Sequence, residues 1–193
     1  MTCIIGLRRG SNVWIGADST GIYNDGWGGI MPIQTSKVWK KGPFIFGSSG
    51  SYRAIQLVRQ YMNVMRLLIE NRRRADPITE SFMVSTMVPA IKKILEDHNF
   101  SEKHNEQSSQ EAEFLIGVDN KLFLLQSDYA VLEFAAPFAA IGSGMLVAAG
   151  AMEILTKNTR MNPATIIKHA LTAVHKHVNT VGEPGPIITT LHD

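Results

Sequence analysis

Thr2, directly behind the initiator methionine, is the residue whose placement says most about chemistry. Methionine aminopeptidase removes Met1 when the next side chain is as small as threonine. Thr2 would then carry a free α-amine and a hydroxyl on neighbouring atoms. One residue would hold both nucleophile and base, the amine-activated form of a hydroxyl nucleophile. Two further residues fall at useful places, Asp18 after Gly16-Ala17 and Lys37 after Ser36. An ammonium close to Thr2 would lower the hydroxyl pKa and keep the amine neutral by like-charge repulsion, and a carboxylate could orient that ammonium. Taken alone, Lys37 reads more readily as a solvated edge lysine, because Lys40 and Lys41 stand beside it.

Acyl transfer also needs an oxyanion site. Gly47-Ser48-Ser49-Gly50-Ser51 lies between a predicted strand and a predicted helix. Glycines there let backbone N–H groups approach a carbonyl, and the helix start adds positive potential. The same residues would also make a plain capped turn. Gly142-Ser143-Gly144 repeats the pattern in the second half, with the same alternative for Ser143. Cys3 adjoins Thr2, so on a strand its side chain points to the opposite face and reads as a small buried hydrophobe. His175 and His177 are two apart on a predicted helix and do not face one another. No Cys/His/Asp cluster has zinc-like spacing, so no metal site is expected from side chains.

These residues need elements to hold them. Residues 3–8, 13–18, 36–41 and 44–47 read as short strands separated by turn residues. Asn24-Asp25-Gly26-Trp27-Gly28-Gly29 reads as a glycine-rich loop without the lysine-serine pair of a phosphate-binding loop. Apolar residues at three- and four-residue spacing from Ala54 to Ile69 predict a helix that Arg72, Arg73 and Arg74 end. Asp76-Pro77 reads as the cap and first turn of a second helix running to about His98. Residues 101–113 are polar and read as a surface loop. Strands follow over 114–118, 121–126, 130–134 and 138–141, with Asp119-Asn120 as a hairpin turn. Helices are predicted from Met145 to about Leu155 and from Asn162-Pro163 to near Val181, then a last strand over 187–191. Strand and helix blocks are segregated, which predicts an antiparallel α+β sandwich and not a doubly wound sheet.

The 193 residues suffice for one domain, 1–193, with a real core, and 45% hydrophobic with 19% charged residues is globular usage. A net charge of +2 is too small to argue for nucleic acid or an anionic membrane. Nothing approaches the roughly 20 apolar residues of a membrane span, and Arg8-Arg9-Gly10 interrupt the first apolar run, which does not read as a signal peptide. A single cysteine excludes an internal disulfide framework and suits a reducing cytoplasm.

In order and spacing, Met-Thr at the start, Arg8-Arg9-Gly10, Ile15-Gly16-Ala17-Asp18, Ser36-Lys37-Val38, Gly47-Ser48-Ser49-Gly50 and Ala140-Ile141-Gly142-Ser143-Gly144 resemble the proteasome β-type N-terminal-nucleophile (Ntn) hydrolases, most of all the bacterial HslV-like peptidase group. The resemblance spans nearly the whole chain. It implies a four-layer αββα sandwich and a threonine-type endopeptidase that cleaves unfolded polypeptides. Thr2 matches the nucleophile, Asp18 and Lys37 the residues that tune it, Gly50 the oxyanion donor, and Ser143 the serine beside the amine. Thr20-Gly21-Ile22 and Ser48, Ser49 and Ser51 would flank a substrate bound as an added strand, with Ser48 and Tyr52 at the first specificity pocket. The family pattern implies stacked homo-oligomeric rings, an AAA+ ATPase unfoldase as partner and no cofactor for the chemistry. A structural monovalent or divalent cation would sit on helix-end carbonyls at His175, Val178 and Val181. Two departures stand out. The stretch between Asp18 and Lys37 is long and carries Trp27, and residues 178–182 lack the aspartate of proteasomal β subunits, with Pro184-Gly185-Pro186 adding a kink. The rival functions on the same fold are a small-molecule amidase and a catalytically silent ring-forming subunit.

Overall fold

A computed structural model describes residues 2–23, 29–71, 76–100, 102–104, 107–109 and 112–190. Its centre is a pair of antiparallel sheets. One has the order β12-β1-β2-β13, from β1 (Ile4–Arg9), β2 (Asn12–Asp18), β12 (Phe138–Ile141) and β13 (Pro184–Thr189). The other has the order β11-β10-β9-β6-β5, from β5 (Val38–Lys41), β6 (Phe44–Gly50), β9 (Ala112–Val118), β10 (Lys121–Leu125) and β11 (Val131–Glu133). Helices α1 (Tyr52–Tyr61), α2 (Val64–Asn71) and α4 (Val88–Asp97) cover the five-stranded sheet; α5 (Met145–Leu155) and α6 (Pro163–His177) cover the other. This is the four-layer αββα sandwich.

Period-two alternation explains why there are three apolar layers. On β1, Ile4 joins Ile15, Val38, Ile45 and Leu115 between the sheets, while Ile5 and Leu7, with Cys3 just before the strand, turn outward under α5 and α6. On β6, Ile45 faces inward while Phe44 and Phe46 meet the first helical layer. Each such side chain, fully buried, contributes roughly 1.5–3 kcal/mol. At Gly47 the sheets come so close that a Cβ would stand 2.4 Å from Ile4 Cγ2 and 2.8 Å from Ile15 Cγ2. A side chain there would push apart the two sheets that the site straddles.

The turns follow their chemistry. Asp119 and Asn120 both have positive φ, 46° and 56°, which is the twist a two-residue hairpin requires. Asn162 caps α6 through Oδ1, which accepts the Ala164 N–H at 2.8 Å, and Pro163 takes the first helical position. The prolines of β13 are tolerated because β13 is an edge strand, with a register shift between Pro184 and Ile187.

Several expectations are corrected, and others fall outside the described residues. The glycine-rich stretch is flanked by a hairpin, β3 (Thr20–Tyr23) against β4 (Gly29–Pro32); residues 24–28, including Trp27, lie outside the described residues. The polar stretch 101–113 carries two short strands, β7 (Glu102–His104) and β8 (Gln107–Ser109), and the start of β9. The first predicted helix is two, because Met62 takes an extended conformation (ψ 118°). The arginines at 72–74 lie outside the described residues. The next helix begins at α3 (Glu80–Phe82), not Asp76-Pro77, because Thr79 supplies the cap, accepting the Phe82 N–H at 3.2 Å; a π-helical turn, Met83–Met87, joins α3 to α4. Lys37 precedes β5 instead of lying within it. Helix α6 stops at His177, about four residues early, because Val178 is extended and the chain turns back toward β2. Among the described residues, no helix is long and apolar enough to cross a membrane.

Candidate active site

Asp18 is the node of the site. It ends β2, is 1% exposed, and its carboxylate accepts five hydrogen bonds. Oδ1 takes the Cys3 N–H at 2.9 Å and the Lys37 ammonium at 2.8 Å. Oδ2 takes the Thr20 hydroxyl at 2.8 Å, the Thr20 N–H at 3.2 Å and the Gly182 N–H at 3.2 Å. These donors come from the residue before β1, from β3, from the segment before β5 and from the turn after α6. A carboxylate is tolerated at this depth because every lone pair has a donor and one donor is a cation.

The Lys37 side chain is buried, with the whole residue 2% exposed, which disposes of the solvated edge lysine. Burial pushes its ammonium below the usual lysine value, and the Asp18 carboxylate opposes that shift. Lys37 reaches in from the five-stranded sheet, whereas Thr2 and Asp18 belong to the other. The sandwich therefore brings together residues that the sequence separates. The ammonium stands one shared oxygen away from the backbone of the residue that follows Thr2.

Thr2 is 7% exposed and held by its backbone. Its nitrogen lies 3.3 Å from Ser143 Oγ, and its carbonyl accepts from Ser143 Oγ at 3.3 Å and the Gly144 N–H at 3.4 Å. Gly142 makes this possible. It has φ +85°, and a Cβ there would fall 2.3 Å from the Thr2 carbonyl oxygen. Ser49 is half-buried, and its Oγ reaches the same spot, 3.0 Å from that Cβ position.

Gly50 ends β6 with φ +100° and is exposed. The Ser48 N–H donates to the Lys37 carbonyl at 3.0 Å, so alternate N–H groups of β6 point toward β5. Gly50 is next in that set. Strand β5 starts at Val38, opposite Gly47, so the Gly50 N–H projects past its end. A backbone donor aimed off a strand end on the Lys37 side is what an oxyanion site needs.

The remaining expected residues divide. Thr20 spends its hydroxyl on Asp18. Gly21 and Ile22 lie on β3, paired in register with Met31 and Ile30. Ser51 begins α1 without a side-chain cap bond, its carbonyl accepting the Ile55 N–H at 3.2 Å. Ser48 departs from expectation. It is fully buried and its hydroxyl donates to the Glu113 carbonyl at 2.9 Å, so its side chain offers nothing to a groove. Tyr52 lines a cavity of about 360 Å³ with Gly21, Met31, Ile33, Thr35 and Gln56. Its hydroxyl donates to the Thr20 carbonyl at 3.4 Å, and burial, with the Asp18 charge second, pushes its pKa up to about 12. Cys3 is fully buried under α6; burial and then Asp18 push its thiol up to about 12, so it stays protonated and is no nucleophile.

Sequence reasoning missed Gly182, whose only signal is a glycine just past the last long helix, and Gly142 as the residue that admits the Thr2 carbonyl. It also missed Met31, Ile33, Thr35 and Gln56, because the β3–β4 hairpin that carries Met31 and leads into Ile33 went unrecognised. Two of the three carbonyls proposed for a cation already have a hydrogen-bond partner. Val181 O faces His175 Nδ1 at 3.0 Å, and Val178 O accepts the Val181 N–H at 2.9 Å. Among the described residues, no group of three His, Cys, Asp or Glu side chains gathers elsewhere.

No family model and no curated protein matches the sequence. Solved structures do match in fold. Thiobacillus denitrificans BPH, solved in complex with epoxomicin, superposes with a TM-score of 0.73 at 18% identity over 97% of this chain and 96% of its own. HslV from Trypanosoma brucei gives 0.67 at 14% identity, covering 97% and 98%. An Anbu (Gly-1) mutant from Hyphomicrobium sp. strain MC1 gives 0.64 at 18% identity, covering 98% and 80%. The chain has the proteasome-like Ntn fold.

Proposed function

We propose that this chain is a threonine-type endopeptidase of the proteasome and HslV kind, acting on unfolded polypeptides through Thr2 after removal of Met1. The observation that carries the reading is the shared Asp18 oxygen, which ties the Lys37 ammonium to the backbone beside Thr2. In the encoded chain the Thr2 nitrogen is a peptide nitrogen; excision of Met1 converts it to the amine that serves as base.

In the reaction, a water relays the Thr2 hydroxyl proton to the Thr2 amine while Oγ attacks the peptide carbonyl carbon. The Lys37 ammonium favours the ionising hydroxyl. The Gly50 N–H meets the developing oxyanion, and Ser143 orients the amine. Collapse of the tetrahedral adduct breaks the C–N bond, the ammonium returns its proton to the leaving amine, and Thr2 Oγ holds the acyl group. A second water, deprotonated by the Thr2 amine, releases the acid and restores the hydroxyl. A general base supplies roughly 10²–10⁴ in rate and one oxyanion donor roughly 10²–10³.

The substrate would lie as an added strand between β3 and the end of β6, with one side chain in the cavity beside Tyr52. The same reading includes homo-oligomeric rings in the cytoplasm, an AAA+ ATPase unfoldase as partner and no cofactor in the chemistry. Exposed apolar residues on α5, Leu146 at 79% and Ile154 at 66%, support a self-association face.

The test is intact and peptide mass spectrometry after incubation with a peptide epoxyketone, the inhibitor class of epoxomicin. The expected result is a chain lacking Met1 with one adduct on Thr2. A chain that keeps Met1 and takes no adduct would favour a silent structural subunit. Thr2 labelling with turnover of small amides but not peptides would favour the amidase.

A further inference from the structure

Helix α6 ends beside the site, and the turn that follows it reaches Asp18 through the Gly182 N–H. We propose that His175 is a positioning residue that holds the Val181–Gly182 peptide group and, through it, the Asp18 carboxylate; its effect on reaction rate rests on the threonine-peptidase reading above.

The carbonyl of Val181 and the N–H of Gly182 belong to one peptide plane, which is rigid. At one end of that plane the oxygen lies 3.0 Å from His175 Nδ1. A carbonyl can only accept, so Nδ1 must carry the proton in this bond. At the other end the N–H donates to Asp18 Oδ2 at 3.2 Å. The plane is thus gripped at both ends, by a ring from α6 and by the carboxylate that Lys37 also holds. Donation to the carbonyl polarises the peptide and strengthens the N–H as a donor.

The surroundings make rotation of this plane matter. Val181 and Gly182 are both buried, although His175 itself is exposed. The Val181 N–H is already fixed on Val178 O at 2.9 Å. Gly182 sits so close to Thr20 that a Cβ would fall 2.1 Å from Thr20 Cγ2, and the Thr20 hydroxyl donates to the same Asp18 Oδ2. Turning the 181–182 plane would therefore withdraw one of the three Oδ2 donors and disturb a second, the Thr20 hydroxyl. Without the ring, water can reach the carbonyl but brings no fixed orientation. Where proteasomal β subunits have an aspartate near this helix end, this chain has an imidazole on the helix itself.

The test compares the full-length wild type with His175→Leu, which removes the donor at similar bulk, and His175→Asn, whose amide N–H replaces Nδ1–H at the same branch position. Two readouts are used: the rate of Thr2 adduct formation at saturating epoxyketone, and deuterium uptake at the Gly182 amide. His175→Leu is expected to slow labelling roughly three- to tenfold, the equivalent of one lost hydrogen bond, and to speed Gly182 exchange while core amides keep their protection. His175→Asn is expected to restore both to within about threefold of wild type on the same scale. Wild-type labelling and exchange in His175→Leu would overturn the proposal. So would a folded His175→Asn that behaves like His175→Leu, because ring packing and not donation would then be responsible. If wild type takes no label at all, the peptidase reading fails, and Gly182 exchange alone decides whether His175 holds the peptide.

Discussion

Replacing Asp18 with asparagine tests the node directly and does not depend on any assignment of function. The carboxylate accepts two donors on Oδ1 and three on Oδ2. An asparagine can present its oxygen to one set only. If the oxygen faces Lys37 and Cys3, the NH₂ meets the N–H groups of Thr20 and Gly182; the Thr20 hydroxyl can rotate to accept, but the two N–H groups cannot. If it faces the other way, the NH₂ meets the ammonium. Each buried donor left unsatisfied costs about 1–3 kcal/mol, and breaking a buried ion pair about 3–5 kcal/mol. These terms overlap, so about 3–5 kcal/mol is the expected total, against about 5–15 kcal/mol for a whole domain. That corresponds to a melting temperature roughly 6–20 °C lower for a chain of this size. The assay is urea and thermal unfolding of wild type, Asp18→Asn, Lys37→Met and the double variant. Lys37→Met alone leaves a buried unpaired carboxylate and should cost about as much. The double variant should then be more stable than the sum of the singles by more than about 1 kcal/mol. A loss below about 1 kcal/mol for Asp18→Asn, with strict additivity, would refute the node.

Thr2→Ala removes the nucleophile but none of the backbone bonds to Ser143 and Gly144; peptide turnover should fall roughly 10⁴-fold or more while the melting temperature stays within about 4 °C. Gly142→Ala places a Cβ against the Thr2 carbonyl at a φ of +85°, so both epoxyketone labelling and melting temperature should fall, with at least about 1–3 kcal/mol lost to backbone strain alone. The Lys37 ionisation gives a signed pH effect. Burial lowers its folded value below 10.5, so between that value and 10.5 the unfolded chain binds more protons than the folded one, and the Lys37 contribution to stability rises with pH. The stability gap between wild type and Lys37→Met, measured by urea unfolding, should therefore shift in favour of wild type as alkaline pH is approached. A shift the other way would mean that the pull of Asp18 outweighs burial.

Much of the layered architecture was legible because period-two strands and period-3.6 helices fell in separate blocks, with Asp119-Asn120 and Asn162-Pro163 marking turn and cap. Thr2, Asp18, Lys37, Gly50 and Ser143 could be named from the sequence chiefly through the family resemblance, and the structure joins Lys37 to Asp18 and Thr2 to Ser143. What could not be read was which sheet each residue belonged to. Lys37, among Lys40 and Lys41, has the local pattern of a solvated edge, and its burial is decided by Asp18, nineteen positions away and on the other sheet. Ser48 failed for the opposite reason: its neighbours Ser49 and Gly50 face the site, but strand alternation turns it outward to the Glu113 carbonyl. The β3–β4 hairpin escaped because glycine-rich composition suits a loop as well as a strand pair.

The site's dependence on the fold runs through a single carboxylate. Thr2 is fixed by β12 and the 142–144 turn, Lys37 by the opposite sheet, and Gly182 by the end of α6. Asp18 bonds to the N–H of the residue after Thr2, to the Lys37 ammonium and to the Gly182 N–H. A one-residue register slip of β2 would turn Asp18 to the other face and part Lys37 from the backbone beside Thr2, and it would also turn the buried Val13, Ile15 and Ala17 away from their core. Glycine at 47, in contact with Ile4 and Ile15, and at 142, in contact with Thr2, lets the sheets and the first residue close to the required distance. The catalytic geometry is accordingly a property of sheet spacing as much as of the residues that bear it, so a volume increase at Gly47 should reduce Thr2 labelling although no atom of residue 47 enters the site.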